Sequence, residues 1–326
     1  MIFSGTSAPA AIACARNPLD AAYQRLLNLC PALRVRLLAA GEPTPARAQG
    51  WYSAAELGTD PAALADALDG EAARIAPLAA ERGATAPRPH VAASRLLHHY
   101  LWSVCVLIAG PWQLARRVPS IGGTDLWLHA PTGDLVLRPR AHVTLEGEDE
   151  LRAELRAAVV GHVEPLLAAF AAPTRRGTRA LWGMVTDDLA SAIWYLGRML
   201  DAEPPTGVVA ADPAASGHSL SGHPVSEAGS AAAPADVVPA VVAPAVVAPV
   251  GIGPGEATAV AAAGAVLPGR TEPLPGAADF RLLRGADGRA HHTRTRLGCC
   301  LYYAIEPGNA CLTCPRTSDE ERLRRL

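Results

Sequence analysis

Regularly spaced prolines divide this chain and limit where its helices can lie. Pro239, Pro244, Pro249 and Pro254 recur every five residues within a run of alanine and valine. Each proline removes a backbone donor and clashes with the preceding helical turn, so the run is not expected to form a helix. Its composition is typical of an extended or flexible linker.

The linker predicts three regions along the chain. They are a helical body at 15–202, a flexible Pro/Ala/Val-rich linker at 203–278 and a short C-terminal segment at 279–326. In the body, apolar residues recur at the three- and four-residue spacing of helices that bury one face. Residues 18–40 are expected to form a helix that Pro31 kinks or divides.

One part of the body changes its hydrophobic period. Leu126 and Leu128, then Leu135 and Leu137, alternate with other residues on either side of a Pro-Thr-Gly-Asp turn. Such alternation around a turn predicts a β-hairpin near 124–143. The expected fold class is therefore mainly α with a small β-hairpin (α+β).

Charge and hydropathy exclude some partners. The formal net charge is −2, and all 29 basic residues are arginine, so no global attraction to nucleic acid is expected. The most apolar stretch, Tyr100 to Trp112, is shorter than the roughly 20 residues of a membrane span. A buried helix is the better interpretation of that stretch. No targeting segment stands out.

Four of the seven cysteines crowd into one short segment. Cys299 and Cys300 are adjacent, and Cys311 and Cys314 follow after ten intervening residues. The remaining three, Cys14, Cys30 and Cys105, are scattered through apolar helical sequence, where free cysteines behave as small hydrophobes. An odd total argues against a fully paired disulfide framework, so the pattern indicates a reducing compartment and a metal site.

The spacing of the four cysteines discriminates between metals. Adjacent cysteines diverge on an extended strand, and structural zinc sites favour ligands two to four residues apart in both pairs. Four thiolates shared between two irons tolerate the adjacent pair more easily. The pattern also departs from the spacing of plant-type ferredoxins. A 2Fe–2S cluster is therefore favoured over zinc, which remains an alternative.

The run Arg296-Leu297-Gly298-Cys299-Cys300-Leu301-Tyr302-Tyr303, followed by Cys311-x-x-Cys314-Pro315, resembles the C-terminal signature of the FhuF-like ferric-siderophore reductases. That resemblance implies a 2Fe–2S cluster held by Cys299, Cys300, Cys311 and Cys314. It also implies a cytoplasmic one-electron reductase that acts on ferric iron in siderophore complexes and releases ferrous iron. The resemblance alone, and no other residue pattern, indicates this substrate.

The source of electrons is expected to be a separate protein. The chain has no phosphate-binding glycine loop and no dinucleotide fingerprint, so a bound flavin or nicotinamide is not predicted. An external donor of the ferredoxin or flavin type is expected, together with peripheral contact with the inner face of the membrane. The alternative function is a non-enzymatic four-cysteine protein that holds structural zinc or a redox-sensing cluster.

Basic residues around the cysteines suggest a docking face. Between 281 and 326, nine arginines stand against five acidic residues. Arg294, Arg296 and Arg316, each close to a cysteine in sequence, are expected to form an exposed rim that attracts an anionic complex or an acidic donor. The histidine pairs at 98–99 and 291–292 are expected to be structural or at the surface, because adjacent side chains on one element point in different directions.

Overall fold

The computed structural model describes residues 18–203 and 252–325, which form a mainly helical protein with small sheets. The helices are α1 (Pro18–Leu29), α2 (Ala54–Thr59), α3 (Pro61–Glu81), α4 (Pro89–Ala115), α5 (Glu148–Thr174), α6 (Thr178–Ala202), α7 (Pro254–Val266) and α8 (Asp319–Arg325). The strands are β1 (Val35–Leu37), β2 (Trp51–Ser53), β3 (Val118–Ser120), β4 (Leu126–His129), β5 (Leu135–Leu137), β6 (Ala141–Val143), β7 (Phe280–Arg284) and β8 (Ala290–Arg294). The predicted fold class is confirmed.

Helix α4 is the centre of the hydrophobic core. Nearly every residue between Val91 and Trp112 is buried, because α1, α3, α5 and α6 pack around it. Helices α4 and α5 are both long and apolar enough to cross a membrane by length and composition alone. The apolar window of α4 is 94% buried inside the protein, as expected of a core helix, which confirms the prediction for 100–112. Helix α5 buries one face, where Leu151, Leu155 and Val159 recur every fourth residue.

The predicted hairpin belongs to a larger sheet. Strands β4 and β5 pair antiparallel, with Leu126 opposite Leu137 and Leu128 opposite Leu135. β1 adds to β5 in parallel and β2 adds to β4, which gives the order β1-β5-β4-β2. The predicted helix at 18–40 is wrong beyond Leu29, since the chain turns there and continues as β1.

The predicted linker at 203–278 is wrong in its C-terminal part. Pro254 occupies the first turn of α7, where its missing N–H and fixed φ suit a helix start. Ala259, Ala263 and Val266 are buried in the main core, where α7 packs against α6. The packed chain continues after the helix through a buried Leu274. The rest of the predicted linker, 204–251, lies outside the described residues.

Helices α6 and α7 are joined by polar contacts as well as by packing. The Asp201 carboxylate, near the end of α6, accepts hydrogen bonds from the backbone N–H groups of Gly255 and Glu256, each at 2.7 Å. Trp194 Nε1 donates to the Glu256 carboxylate at 2.8 Å. The first turn of α7 is therefore capped by a side chain from the helix against which it packs.

Gly197 allows the close approach of these two helices. A Cβ atom at this position would overlap with the Ala259 Cβ and the Gly255 carbonyl oxygen. We expect Gly197→Ala to lower the free energy of unfolding by about 1–3 kcal/mol, because the helices must move apart. Gly161→Ala in α5 is the matched control, since a Cβ there has no neighbour within 4 Å. The control should be neutral or stabilising by about 0.5–1 kcal/mol. Urea denaturation measures both, and equal effects would contradict this account of the α6–α7 contact.

Candidate metal centre

The structure brings the four clustered cysteines together in the loops that follow β8. The Cys300 and Cys314 side chains are buried, whereas Cys299 and Cys311 are partly exposed. The thiols interact as two pairs, Cys300 with Cys311 and Cys299 with Cys314. In each pair, one sulfur is buried and the other is partly exposed. Each pair also contains one cysteine from the adjacent pair in the sequence and one from the CxxC motif.

Backbone hydrogen bonds hold the two motifs against each other. Arg296 N–H donates to the Thr313 carbonyl at 2.9 Å, which joins the start of the first motif to the middle of the second. Cys314 N–H donates to the Cys311 carbonyl at 2.9 Å and closes the turn of the second motif. Leu301 adopts a left-handed backbone with φ of 62° immediately after the adjacent cysteines. The chain thus turns directly after the first motif and within the second.

Backbone amides also approach the sulfur atoms. Leu301 N–H lies 3.4 Å from Cys299 Sγ, and Arg316 N–H lies 3.5 Å from Cys314 Sγ. Donors at this distance stabilise a thiolate, and hydrogen bonds to ligand sulfurs raise the potential of an iron–sulfur cluster. Two of the four sulfurs, one from each motif, have such a donor.

Positive charge lies close to the Cys300 thiol. Its pKa lies well below the usual range, chiefly because it accepts a hydrogen bond from Cys311 and also because Arg95, His98 and Arg296 place positive charge nearby. The thiolate is the form that binds metal. The surroundings of Cys300 thus favour the ligand form of the side chain despite its burial.

The donor set fits a binuclear cluster. Two adjacent thiol pairs suit a 2Fe–2S cluster, in which each iron takes two protein ligands. Cys299, Cys300, Cys311 and Cys314 would be those ligands.

Two buried ion pairs attach this segment to the helical body. Arg294 Nη2 lies 2.7 Å from Asp187 Oδ1, and Arg296 Nη2 lies 2.8 Å from Asp188 Oδ1. Both aspartates lie on α6 and are fully buried, as is Arg294. The prediction that Arg294 and Arg296 form an exposed docking face is therefore wrong. A buried carboxylate is very costly without a cationic partner, so these arginines turn inward. Arg316 is exposed, with its guanidinium 4.2 Å from the centre of the Tyr303 ring.

Asp187 also holds the backbone just before the adjacent cysteines. Its two oxygens accept hydrogen bonds from Leu297 N–H and Gly298 N–H, each at 2.9 Å. One carboxylate thus binds the guanidinium of Arg294 and two consecutive amides, which satisfies most of its acceptor capacity. Asp187 and Asp188 were not expected as site residues. The sequence signal that could have indicated them is a pair of adjacent acidic residues in the middle of the apolar helix α6.

His98 joins the same network from α4. Its Nδ1 lies 2.9 Å from Asp188 Oδ1 and 3.4 Å from Arg296 Nη2. His99 points elsewhere, with Nε2 3.0 Å from the Gly133 carbonyl. The prediction that a histidine pair on a helix would diverge is confirmed. His292 on β8 faces Glu256 of α7, 3.4 Å away.

Two further arginines hold carbonyl groups of the cysteines. Arg176, just before α6, donates to the Cys299 carbonyl. Arg322, on α8, donates through Nη2 to the Cys314 carbonyl at 2.9 Å and also to the Leu312 carbonyl. Helix α8 therefore secures the second motif, while the helical body secures the first.

The two other cysteines that the structure describes lie outside this site. Cys30 and Cys105 are free thiols buried in the main hydrophobic core, and Cys14 lies outside the described residues. Burial raises the pKa of the Cys105 thiol well above its usual range, so this side chain stays neutral. This placement agrees with the predicted contrast between clustered and scattered cysteines.

A mainly helical body that anchors four paired thiols through buried ion pairs has the features of an iron–sulfur protein with four cysteine ligands. Residues 296–316 match the family model described as the FhuF 2Fe-2S C-terminal domain. The chain therefore carries a 2Fe–2S domain of the FhuF type, which confirms the resemblance and the cofactor predicted from the sequence. No curated protein and no solved structure matches the chain.

Proposed function

We propose that this protein is a reductase that transfers single electrons to ferric iron in siderophore complexes and releases ferrous iron. The FhuF-type domain supports the redox chemistry, because a bound 2Fe–2S cluster accepts and donates one electron at a time. Ferrous iron is held more weakly than ferric iron by hard oxygen ligands, so reduction would release it from the chelate.

The observation that carries the proposal is the partial exposure of the thiols. Cys299 and Cys311 reach the surface from different pairs, while their partners Cys300 and Cys314 are buried. A site that serves only to stabilise the fold has no need of surface access. Exposed ligands on both pairs would instead let a docked partner approach closely enough for electron transfer.

The protein's own residues contribute positioning and charge. Asp187 binds the backbone just before the first cysteine motif and Arg322 binds a carbonyl of the second, so the ligands are held by groups that are themselves buried and paired. Arg176 and Arg296 place positive charge beside the thiolates. Such charge favours the reduced state, which carries one more negative charge. The site is thus suited to repeated oxidation and reduction without rearrangement of the chain.

The cellular setting belongs to the same proposal. The cysteines that the structure describes are all free thiols, which supports a reducing compartment such as the cytoplasm. The electron donor would be a separate ferredoxin- or flavin-type protein. Peripheral contact with the inner face of the membrane would bring the reductase close to imported chelates.

Single-turnover reduction of a ferric chelate tests the function. Anaerobically purified protein should contain about two iron and two sulfide per chain, the content of a binuclear cluster. After chemical reduction and removal of the reductant, mixing with ferric desferrioxamine and a ferrous-specific chelator should yield about one ferrous ion per cluster. Air-oxidised protein is the control and should yield none.

The same experiment separates the alternatives. A colourless protein that contains zinc would contradict the cluster and support a structural site with four cysteine ligands. A coloured protein that is reduced and reoxidised but transfers no electron to any ferric chelate would contradict the reductase and support a redox sensor.

A further inference from the structure

We infer that an arginine patch on the helical body, formed by Arg88, His90, Arg175 and Arg176, is the docking surface for an acidic electron-transfer protein. This inference rests on the proposed function, since it names the kind of partner that supplies the electron. The docking face then lies on the helical body and not at Arg294 and Arg296, which are buried.

The patch is formed where two helix starts meet. Arg88 and His90 lie at the N-terminal end of α4, and Arg175 and Arg176 lie between α5 and α6. Burial lowers the pKa of His90, and the nearby charges of Arg175, Arg88 and Arg176 lower it further. The three guanidinium groups therefore lie within electrostatic range of one imidazole, although Arg88 is far in sequence from Arg175 and Arg176.

Its positive charge is not neutralised by the protein. The chain has no Asp or Glu from 82 to 124 or from 165 to 186. Within the described part of the chain, Arg88, Arg175 and Arg176 form no ion pair with a carboxylate, whereas the buried Arg294 and Arg296 both do. Unpaired, exposed cations generate the field that steers an anionic partner toward a surface.

The patch is continuous with the cysteine site. Arg176 donates to the Cys299 carbonyl and also lies beside Gly298. The neighbouring Leu297 is 52% exposed, and it is one of two large hydrophobic side chains exposed among the described residues. An apolar contact beside a charged rim is the composition of a protein–protein interface. A partner seated there would contact the protein next to the partly exposed Cys299.

The patch presents exposed charges on two separate segments, with Arg88 just before α4 and Arg175 just after α5. Small ligands bind in concave cavities that bury most of their surface, whereas exposed charges spread over two segments suit contact with a protein surface.

One electron would pass from the reduced donor to a 2Fe–2S cluster held by the four cysteines. The donor would be oxidised by one electron and the cluster reduced by one, with no bond broken and no proton moved. Docking would therefore contribute proximity and orientation, and electrostatic attraction would mainly increase the association rate.

Flavodoxin hydroquinone is a suitable probe, because it is acidic and becomes a coloured semiquinone when it loses one electron. At low ionic strength, we expect the double variant Arg88→Gln/Arg175→Gln of the cluster-loaded protein to be reduced about tenfold more slowly than the wild type. The matched control is Arg36→Gln/Arg270→Gln, which removes two charges from exposed arginines elsewhere. The control should react at nearly the wild-type rate.

Binding gives an independent measurement. Oxidised ¹⁵N-labelled flavodoxin is titrated with the oxidised wild-type protein and followed by NMR. The Kd should increase with salt concentration, since screening shortens the range of the attraction. The Arg88→Gln/Arg175→Gln variant should show about tenfold weaker binding at low salt and little salt dependence. Neither experiment contains a ferric chelate, so failure of the reductase proposal would not affect these results.

Three outcomes would overturn the inference. Unchanged rate and Kd in the Arg88→Gln/Arg175→Gln variant would show that the patch is not used. An equal loss in the control would indicate a general effect of net charge. An equal loss in the rate of reduction by dithionite, a small anionic reductant, would identify a site for small anions and not for a protein.

Discussion

Replacing Cys300 with alanine is expected to remove the 2Fe–2S cluster, whereas replacing Cys105 with alanine should leave it in place. Both side chains are buried and both are free thiols, so the two variants lose the same atoms from similarly buried positions. Only Cys300 has a second thiol as its partner, together with the positive charge that favours a thiolate. Loss of a ligand should reduce bound iron at least about tenfold, since even changes next to metal ligands weaken binding by that factor.

Iron analysis and the paramagnetic resonance spectrum of the reduced protein measure this difference. Cys299→Ala, Cys311→Ala and Cys314→Ala should behave like the Cys300 variant. Cys105→Ala should retain the wild-type spectrum while losing some stability, because it leaves a small cavity in the core. Cluster loss in the Cys105 variant with retention in the Cys300 variant would refute the ligand assignment.

Replacing Asp187 with alanine should have the largest effect of any change outside the cysteines. The substitution leaves Arg294 buried without its partner, which costs about 3–5 kcal/mol in comparable cases. It also leaves the Leu297 and Gly298 amides without their acceptor. We expect lower stability in urea denaturation together with an altered or missing cluster spectrum. Asp149→Ala is the control, because that side chain is 98% exposed, and it should change neither.

A double variant separates the positioning role of Asp187 from its contribution to stability. Asp187→Leu combined with Arg294→Met removes both charges, and such apolar replacement of a buried pair is often neutral or stabilising. The two amides before Cys299 still lack an acceptor. We therefore expect stability to return while the spectrum and potential of the cluster stay changed. Full recovery of the spectrum would show that Asp187 acts only as a partner for Arg294.

The cysteine site was predictable because all four cysteines lie close together in the sequence. An adjacent pair and a CxxC motif specify four ligands within one short segment, and the family match covers the same segment. The β4–β5 hairpin was predictable for a similar reason, since alternation and a turn lie within a dozen or so residues. Strands β1 and β2 have three residues each, too few for alternation to be recognised.

The orientation of Arg294 and Arg296 depended on distant residues. Arginines beside cysteines in sequence are expected to face solvent, as charged side chains usually do. Their burial is caused by Asp187 and Asp188, which are more than a hundred residues away on α6. Helix α7 was missed for a different reason. Pro254 continues the spacing of the preceding prolines, and only its position in the first turn distinguishes a helix start from a helix break.

The Asp201 cap on α7 fixes where two described parts of the chain meet. Because the Asp201 carboxylate binds the amides of Gly255 and Glu256, residues 201 and 255 lie side by side although they are 54 positions apart in sequence. The free energy of joining two fixed ends by a chain depends only weakly on the length of that chain. We therefore expect a change of length between these two points to leave α6, α7 and the cysteine site intact. The Asp201–Gly255 junction is also a natural position at which to graft a reporter or a tether into this protein.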